Sequence, residues 1–224
     1  VKTDGTWAVE VADLGVDGSK AIKAQAVDAA GQLSPFTGDY VIHLDTLAPS
    51  KPDLAATDNV GQVVGAITNG SVTDDGTPTF SGKGEAGSTI TLTDHGTVIG
   101  TTTVQPDGSW TFTPTVELAD GPHNVTVTQT DPAGNVSEPS TPEEATGDTK
   151  APAKPEIKTD LTDKAGTKTP VEVSAEPGSK VELFDKDGNK LGEGVADENG
   201  KATITPTKEL PAGDVTCLLY TSPS

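Results

Sequence analysis

The residues best suited to chemistry in this 224-residue chain are carboxylates and amides placed in turns and linkers. Asp45 opens DTLAP (45–49), Asp148 opens DTKAP (148–152), and DPAGN (131–135) carries Asp131 and Asn135. Carboxylate, amide and carbonyl oxygens are the ligands that hard cations such as Ca²⁺ take. The same residue types at turns also serve only to accept hydrogen bonds from their own backbone. Residue type leaves both uses open, so position has to decide.

Other chemistries are poorly supported. His43, His95 and His123 stand apart at strand edges, no pair has metal-ligand spacing on one element, and no Ser, His and Asp order exceeds coincidence. No glycine-rich phosphate loop runs from a strand into a helix. DKDGNKLGE (185–193) has the outline of an EF-hand loop, but it lacks flanking helices and Glu193 falls early for the closing ligand, so it reads as a hairpin turn. An enzyme is not expected. The 34 acidic side chains outnumber 15 basic ones, all of them Lys, for a net charge of −19. That balance argues against nucleic-acid and anionic-membrane partners and makes cations the natural counterions. No run is long enough for a membrane span, no signal peptide opens the chain, and the absence of Met fits an internal fragment.

The elements that must position these residues repeat. DGTW (4–7) returns as DGSW (107–110), DAAGQ (28–32) as DPAGN (131–135), and Asp45 as Asp148, all 103 residues on. A third copy is shorter: GEAGSTITL (84–92) is echoed by AEPGSKVEL (175–183), and SWTFTPTVELADG (109–121) by KATITPTKELPAG (201–213). One complete unit, 47–149, is therefore expected between two partial ones, 1–46 and 150–216. The tail CLLYTSPS (217–224) interrupts a strand pattern and resembles translated read-through of a sequencing-library adapter. It is set aside as non-native, and its Cys217, the single Cys, is given no redox or metal role.

Within 47–149 the expected strands are 63–68, 77–84, 88–94, 97–104, 109–114, 123–130 and 135–141, separated by Gly, Asp, Asn and Pro. Ile90 and Leu92 alternate with Thr89, Thr91 and Thr93, and Val125 and Val127 repeat the pattern, so one face is core and the other water. The fold class is all-β, a series of immunoglobulin-like sandwiches without the cysteine pair, one complete and two partial. The first unit is expected to keep strands E to G and the last strands A to E. On that topology the 131–135 turn joins F to G at the end where the linker enters, which brings Asp131 and Asn135 near Asp45.

GEAGS, DGSWTFTP, DPAGN and the DT.AP linkers, in this order and spacing, closely resemble the bacterial Ig-like tandem repeats of giant biofilm-associated surface adhesins secreted by type I systems; the likeness covers residues 1–216. The resemblance implies structural extender repeats, in cell adhesion and biofilm formation, at the extracellular bacterial cell surface. Their partners would be the neighbouring repeats of the same chain, with any host or matrix receptor bound by another part of the protein and no membrane insertion. It also implies Ca²⁺ at domain junctions. The candidate ligands are Asp45, Asp131 and Asn135, completed by Asp13 or Asp17, at the first junction, and Asp148 with Asp120 or Glu117 at the second. Gln32 departs from the DPAGN pattern. The alternatives are an Ig-like module that binds a glycan or host protein through its early segment (62–75), and an accessory module of a secreted enzyme.

Overall fold

The computed structural model describes residues 5–11, 13–61, 64–212 and 215–220, and no helix occurs among them. Asp4 of the first DGTW copy, Gln62 and Val63 of the expected early segment, Asp214, and residues 221–224 of the tail lie outside the described residues.

The first region holds β1 (Gly18–Ile22) and β2 (Tyr40–Leu44), paired antiparallel with Gly18 opposite Leu44 and Ile22 opposite Tyr40. The strand E expected around TWAVE (6–10) is not formed, and Trp7 is 60% exposed. No described residue from 5 to 48 is buried.

The second region runs through β3 (Ala55–Asp58), β4 (Gly65–Ile67), β5 (Ser71–Thr73), β6 (Thr79–Lys83), β7 (Thr89–Asp94), β8 (Thr97–Thr103), β9 (Ser109–Phe112), β10 (Gly121–Thr130) and β11 (Glu143–Gly147). They form a five-stranded sheet, β5-β11-β10-β7-β8, and a four-stranded sheet, β4-β3-β6-β9. β7 is antiparallel to β8 and β10, while β5 and β11 are parallel. The period-two pattern sorts the faces as read from the sequence. Ile90 and Leu92 of β7, Trp110 of β9 and Val125 and Val127 of β10 are buried, and the intervening threonines are partly or fully exposed. Threonine suits that outer position because a β-branched side chain packs on a pleated, half-wet surface.

One expected strand is displaced. Residues 135–141 form only an isolated bridge, Val136 to Thr130, and the last strand is β11, at 143–147. Pro139 lacks an amide proton, and the segment runs beside β10 at three-residue steps instead of a ladder. The Ser137 amide donates to the Gln129 carbonyl and the Ser137 hydroxyl accepts from the Gln129 amide; Ser140 does the same with Val127. Each hydroxyl then donates to the carbonyl of the following residue. Hydroxyls take over the ladder's missing acceptors, which keeps the buried amides of Val127 and Gln129 satisfied.

The third region holds β12 (Glu156–Ile157), β13 (Val171–Ser174), β14 (Lys180–Asp185), β15 (Lys190–Val195), β16 (Lys201–Ile204) and β17 (Val215–Tyr220), in sheets β12-β13-β16 and β15-β14-β17. Its core gathers Val171, Val173, Val181, Leu183, Leu191, Ala196, Ala202, Ile204 and Leu210. Residues 217–220, set aside in the sequence reading, complete β17 opposite β14, with Cys217 facing Leu183. Ladder bonds are main-chain bonds, so pairing along the edge of β14 does not depend on the side chains of the segment that fills it.

The chain separates into two compact units. One comprises Val1–Leu54, Ser81–Phe112 and Val125–Pro142, the other Ala55–Phe80, Thr113–Asn124 and Glu143–Ser224. The candidate residues of the first junction all fall in one unit and those of the second in the other.

Candidate functional site

The Asp131 turn is built by its own backbone. The Asp131 Oδ1 atom accepts the amides of Ala133 and Asn135, each at 2.9 Å, and Oδ2 accepts the Asn135 side-chain amide at 2.9 Å. The Gly134 amide closes the loop onto the Asp131 carbonyl at 3.1 Å, with Gly134 at φ 98°. The Asn135 amide is the main cause that holds the Asp131 carboxyl below its ordinary range. The same bonds recur in the hairpin turn Asp185–Asn189, as the sequence suggested, including the Asn189 amide on Asp185 Oδ2. Asp28–Gln32 and Asp197–Lys201 repeat the two backbone bonds. The Asp and Asn pairing is therefore a property of the D-x-x-G-N turn.

What distinguishes the 131–135 turn is its reach. Asn135 Nδ2 also donates to the Asp45 carbonyl at 3.1 Å, so the structure joins the turn to the linker across 90 residues of chain. Gln129, fully buried, adds a second tie: its Nε2 donates to the Ser50 carbonyl and its Oε1 accepts the Glu85 amide. Asp45 itself accepts the Leu47 amide.

The other candidates separate by role. Asp17 Oδ1 accepts both the amide of Thr46, at 3.1 Å, and its hydroxyl, at 3.0 Å. Asp120 Oδ1 does the same with Thr149, at 2.9 and 2.8 Å. Both Asp residues precede a glycine at nearly the same positive φ, 123° at Gly18 and 124° at Gly121, a conformation that a side chain would strain. Asp13 is not brought to the linker and caps the Gly15 amide at 2.7 Å. Asp148 donates its amide to the Thr73 carbonyl, and Glu117 packs beside Gly76. The sequence reading missed Thr46, Thr149 and Lys150, whose Nζ lies 2.8 Å from Asp120 Oδ2. Their signal was the DT dipeptide recurring at the same distance as the two Asp-Gly loops.

The family described as bacterial Ig-like domain matches residues 46–149. Those residues, just under half of the chain, are similar to a bacterial Ig-like domain. The chain is also similar to a biofilm-associated protein's BSP domain, with 23% identity and a TM-score of 0.30, over 78% of this chain and 27% of that one. A tetra-tandem repeat in the extending region of a large adhesion protein gives 19% and 0.35, over 91% and 56%. The chicken CNTN1 FN1–FN3 domains give 12% and 0.37, over 91% and 76%. The chain thus spans about a quarter and just over half of the first two, and likeness at this level assigns no function. No curated protein matches the chain.

Around residues 46–149, the donor chemistry at the first junction suits a hard cation. Asp17 and Asp45 each keep one carboxylate oxygen outside the hydrogen bonds described above, and the Asn135 amide oxygen is an oxygen ligand of the kind Ca²⁺ takes. A ready carboxylate cage is absent, since no group of three or more His, Cys, Asp or Glu able to hold a metal occurs among the described residues. At the second junction the chemistry does not suit a metal, because the Lys150 ammonium lies on Asp120 Oδ2. That ion pair is the main cause depressing the Asp120 carboxyl and raising the Lys150 ammonium.

Proposed function

We propose that the chain is a stretch of extender repeats from a large secreted bacterial surface adhesin, a structural and non-catalytic spacer that holds a binding domain away from the cell. One observation carries this reading: both linkers, 103 residues apart, are tied to the preceding repeat by the same Asp and Thr contact. A ligand-binding module has no need to fix its outgoing linker twice in the same way, whereas a spacer transmits length only if each linker is held. The extracellular location, the cell surface and the neighbouring repeats as partners belong to the same proposal.

Calcium is the finer part of it. Asp45, Asp17 and the amide oxygen of Asn135 would hold Ca²⁺ at the first junction, with Asp131 orienting Asn135; the ion would supply a charge bridge between linker and turn. Small-angle scattering and calorimetry of the chain in Ca²⁺ and in chelator test it. The reading expects a longer maximum dimension and a higher melting temperature in Ca²⁺. Identical profiles would remove the calcium, and a compact, collapsed particle in both would remove the spacer.

A further inference from the structure

We infer that the second junction is closed by a tethered cation: Lys150 takes the place that a free metal ion takes at the first. This rests on the spacer reading above and specifies which of its junctions responds to Ca²⁺.

The two junctions share the clamp on the linker threonine; the first adds the Asn135 bond to the Asp45 carbonyl and the second the Lys150 ion pair. Asp17 and Asp120 occupy the same loop, their glycines share one φ, and each carboxylate receives two donors from the linker threonine on Oδ1. Asp45 and Asp148 then cap the residue two places on, Leu47 and Lys150. Leu47 is 75% exposed and brings no charge to Asp17. Lys150 reaches back and places its ammonium on the second oxygen of Asp120. All the strong donors of that loop then come from the linker, so one carboxylate clamps both Thr149 and Lys150.

A divalent ion at Asp120 would have to displace that ammonium or sit beside it. Two cations on one carboxylate repel at short range, and the tethered one is present at an effective concentration that a free ion in dilute solution does not reach. The pair is exposed, so its own strength is modest. Its effect comes from geometry: the carboxylate is already fixed by Thr149, and the ammonium completes it without any ion from solution. A lysine two residues after the linker Asp thereby makes a junction indifferent to chelator, and a leucine there leaves it dependent.

Double electron–electron resonance on the whole chain, in a Cys217→Ser background, tests this. The first label pair, at Ala29→Cys and Thr101→Cys, spans the first junction, and the second, at Val116→Cys and Asp187→Cys, spans the second. The second pair should give one narrow distance distribution in both Ca²⁺ and chelator. Lys150→Leu should broaden it about twofold in chelator, and Ca²⁺ should narrow it again. Broadening of the unsubstituted second pair in chelator would overturn the inference, as would a Lys150→Leu distribution that stays narrow, or one that Ca²⁺ does not restore. The first pair reports separately: if it ignores Ca²⁺, the calcium part of the spacer reading fails, whatever Lys150→Leu does.

Discussion

Trp7 and Trp110 stand in the same motif 103 residues apart, yet Trp7 is 60% exposed and Trp110 1%. Around Trp110 the chain is β9, paired in the β4-β3-β6-β9 sheet; around Trp7 it is no strand at all. The difference lies outside the motif: among the described residues, β9 has β6 beside it in its sheet, and residues 6–9 pair with no strand. Other features are indifferent to that loss. The turn at 28–32 keeps the two backbone bonds of the turn at 131–135. Ser34 and Thr37 accept the amides of Ala26 and Ala24, as Ser137 and Ser140 accept those of Gln129 and Val127. Asp17 holds Thr46 as Asp120 holds Thr149. Contacts within a hairpin form from local sequence, whereas burial of the tryptophan needs strands from elsewhere in the repeat.

The largest effect should come from the tryptophans themselves. Trp110→Ala removes a fully buried aromatic and is expected to cost about 3–5 kcal/mol in urea unfolding. Trp7→Ala should stay within about 0.5 kcal/mol, as for an exposed residue away from special contacts. Iodide should quench Trp7 fluorescence and leave Trp110 protected. A comparable loss of stability from both substitutions would show that the first region has a core of its own and would end the comparison.

The third region sharpens it from the other side. It too is a partial repeat, but its sheets enclose a core with Val171, Val181, Leu183 and Ile204 at 0% exposure. Leu183→Ala is expected to cost about 2–5 kcal/mol. Limited proteolysis should then clear residues 5–47 first and leave fragments covering 47–149 and 150–217. Resistance of the first region equal to that of the third would mean that pairing partners are not what separates them.

Much of this was legible in the sequence, and what was not has a physical reason. Period-two alternation placed β7, β9 and β10, since one face of each meets water. The 135–141 segment was misread because Val136 and Ser137 look strand-like, while the bonds that actually hold it come from the hydroxyls of Ser137 and Ser140. The TWAVE motif alone does not make strand E in the first unit, and residues 217–220 join β17 because main-chain pairing does not depend on the repeat's side-chain pattern. At the junctions, Asp45 near Asn135 followed from topology. Thr46, Thr149 and Lys150 did not, because each acts on an Asp far along the chain, and the recurring DT dipeptide does not by itself name that contact.

Backbone strain should give a smaller effect than core deletion. Gly31 and Gly134 sit at matching turn positions with φ 81° and 98°. Alanine at either position is strained by about 1–2 kcal/mol. Gly134→Ala should lower the midpoint of the cooperative transition by that amount, while Gly31→Ala should alter only local amide exchange around 28–32. A shift of the global midpoint by Gly31→Ala would couple the first region to the folded domain.

The smallest effect should come from Asn135→Gln, which gives the complete turn the residue of the incomplete one. Asp131 has a folded pKa below its ordinary 3.8, and the Asn135 amide is the first cause. A carboxylate depressed in this way contributes stability above its unfolded pKa, and that contribution is lost as pH falls through the folded value. Removing the amide should raise the Asp131 midpoint in a carboxyl ¹³C titration and shrink the loss of stability between pH 4 and the folded pKa, on the order of the single-site linkage described for such groups. Asn189→Gln provides the internal standard, because Asp185 is depressed chiefly by Asn189 in the same turn with no linker beside it. Equal shifts at Asp131 and Asp185 would assign the depression wholly to the turn. A larger shift at Asp131 would show that the bond from Asn135 to the Asp45 carbonyl holds the amide in place, which makes the linker part of the electrostatics of the turn.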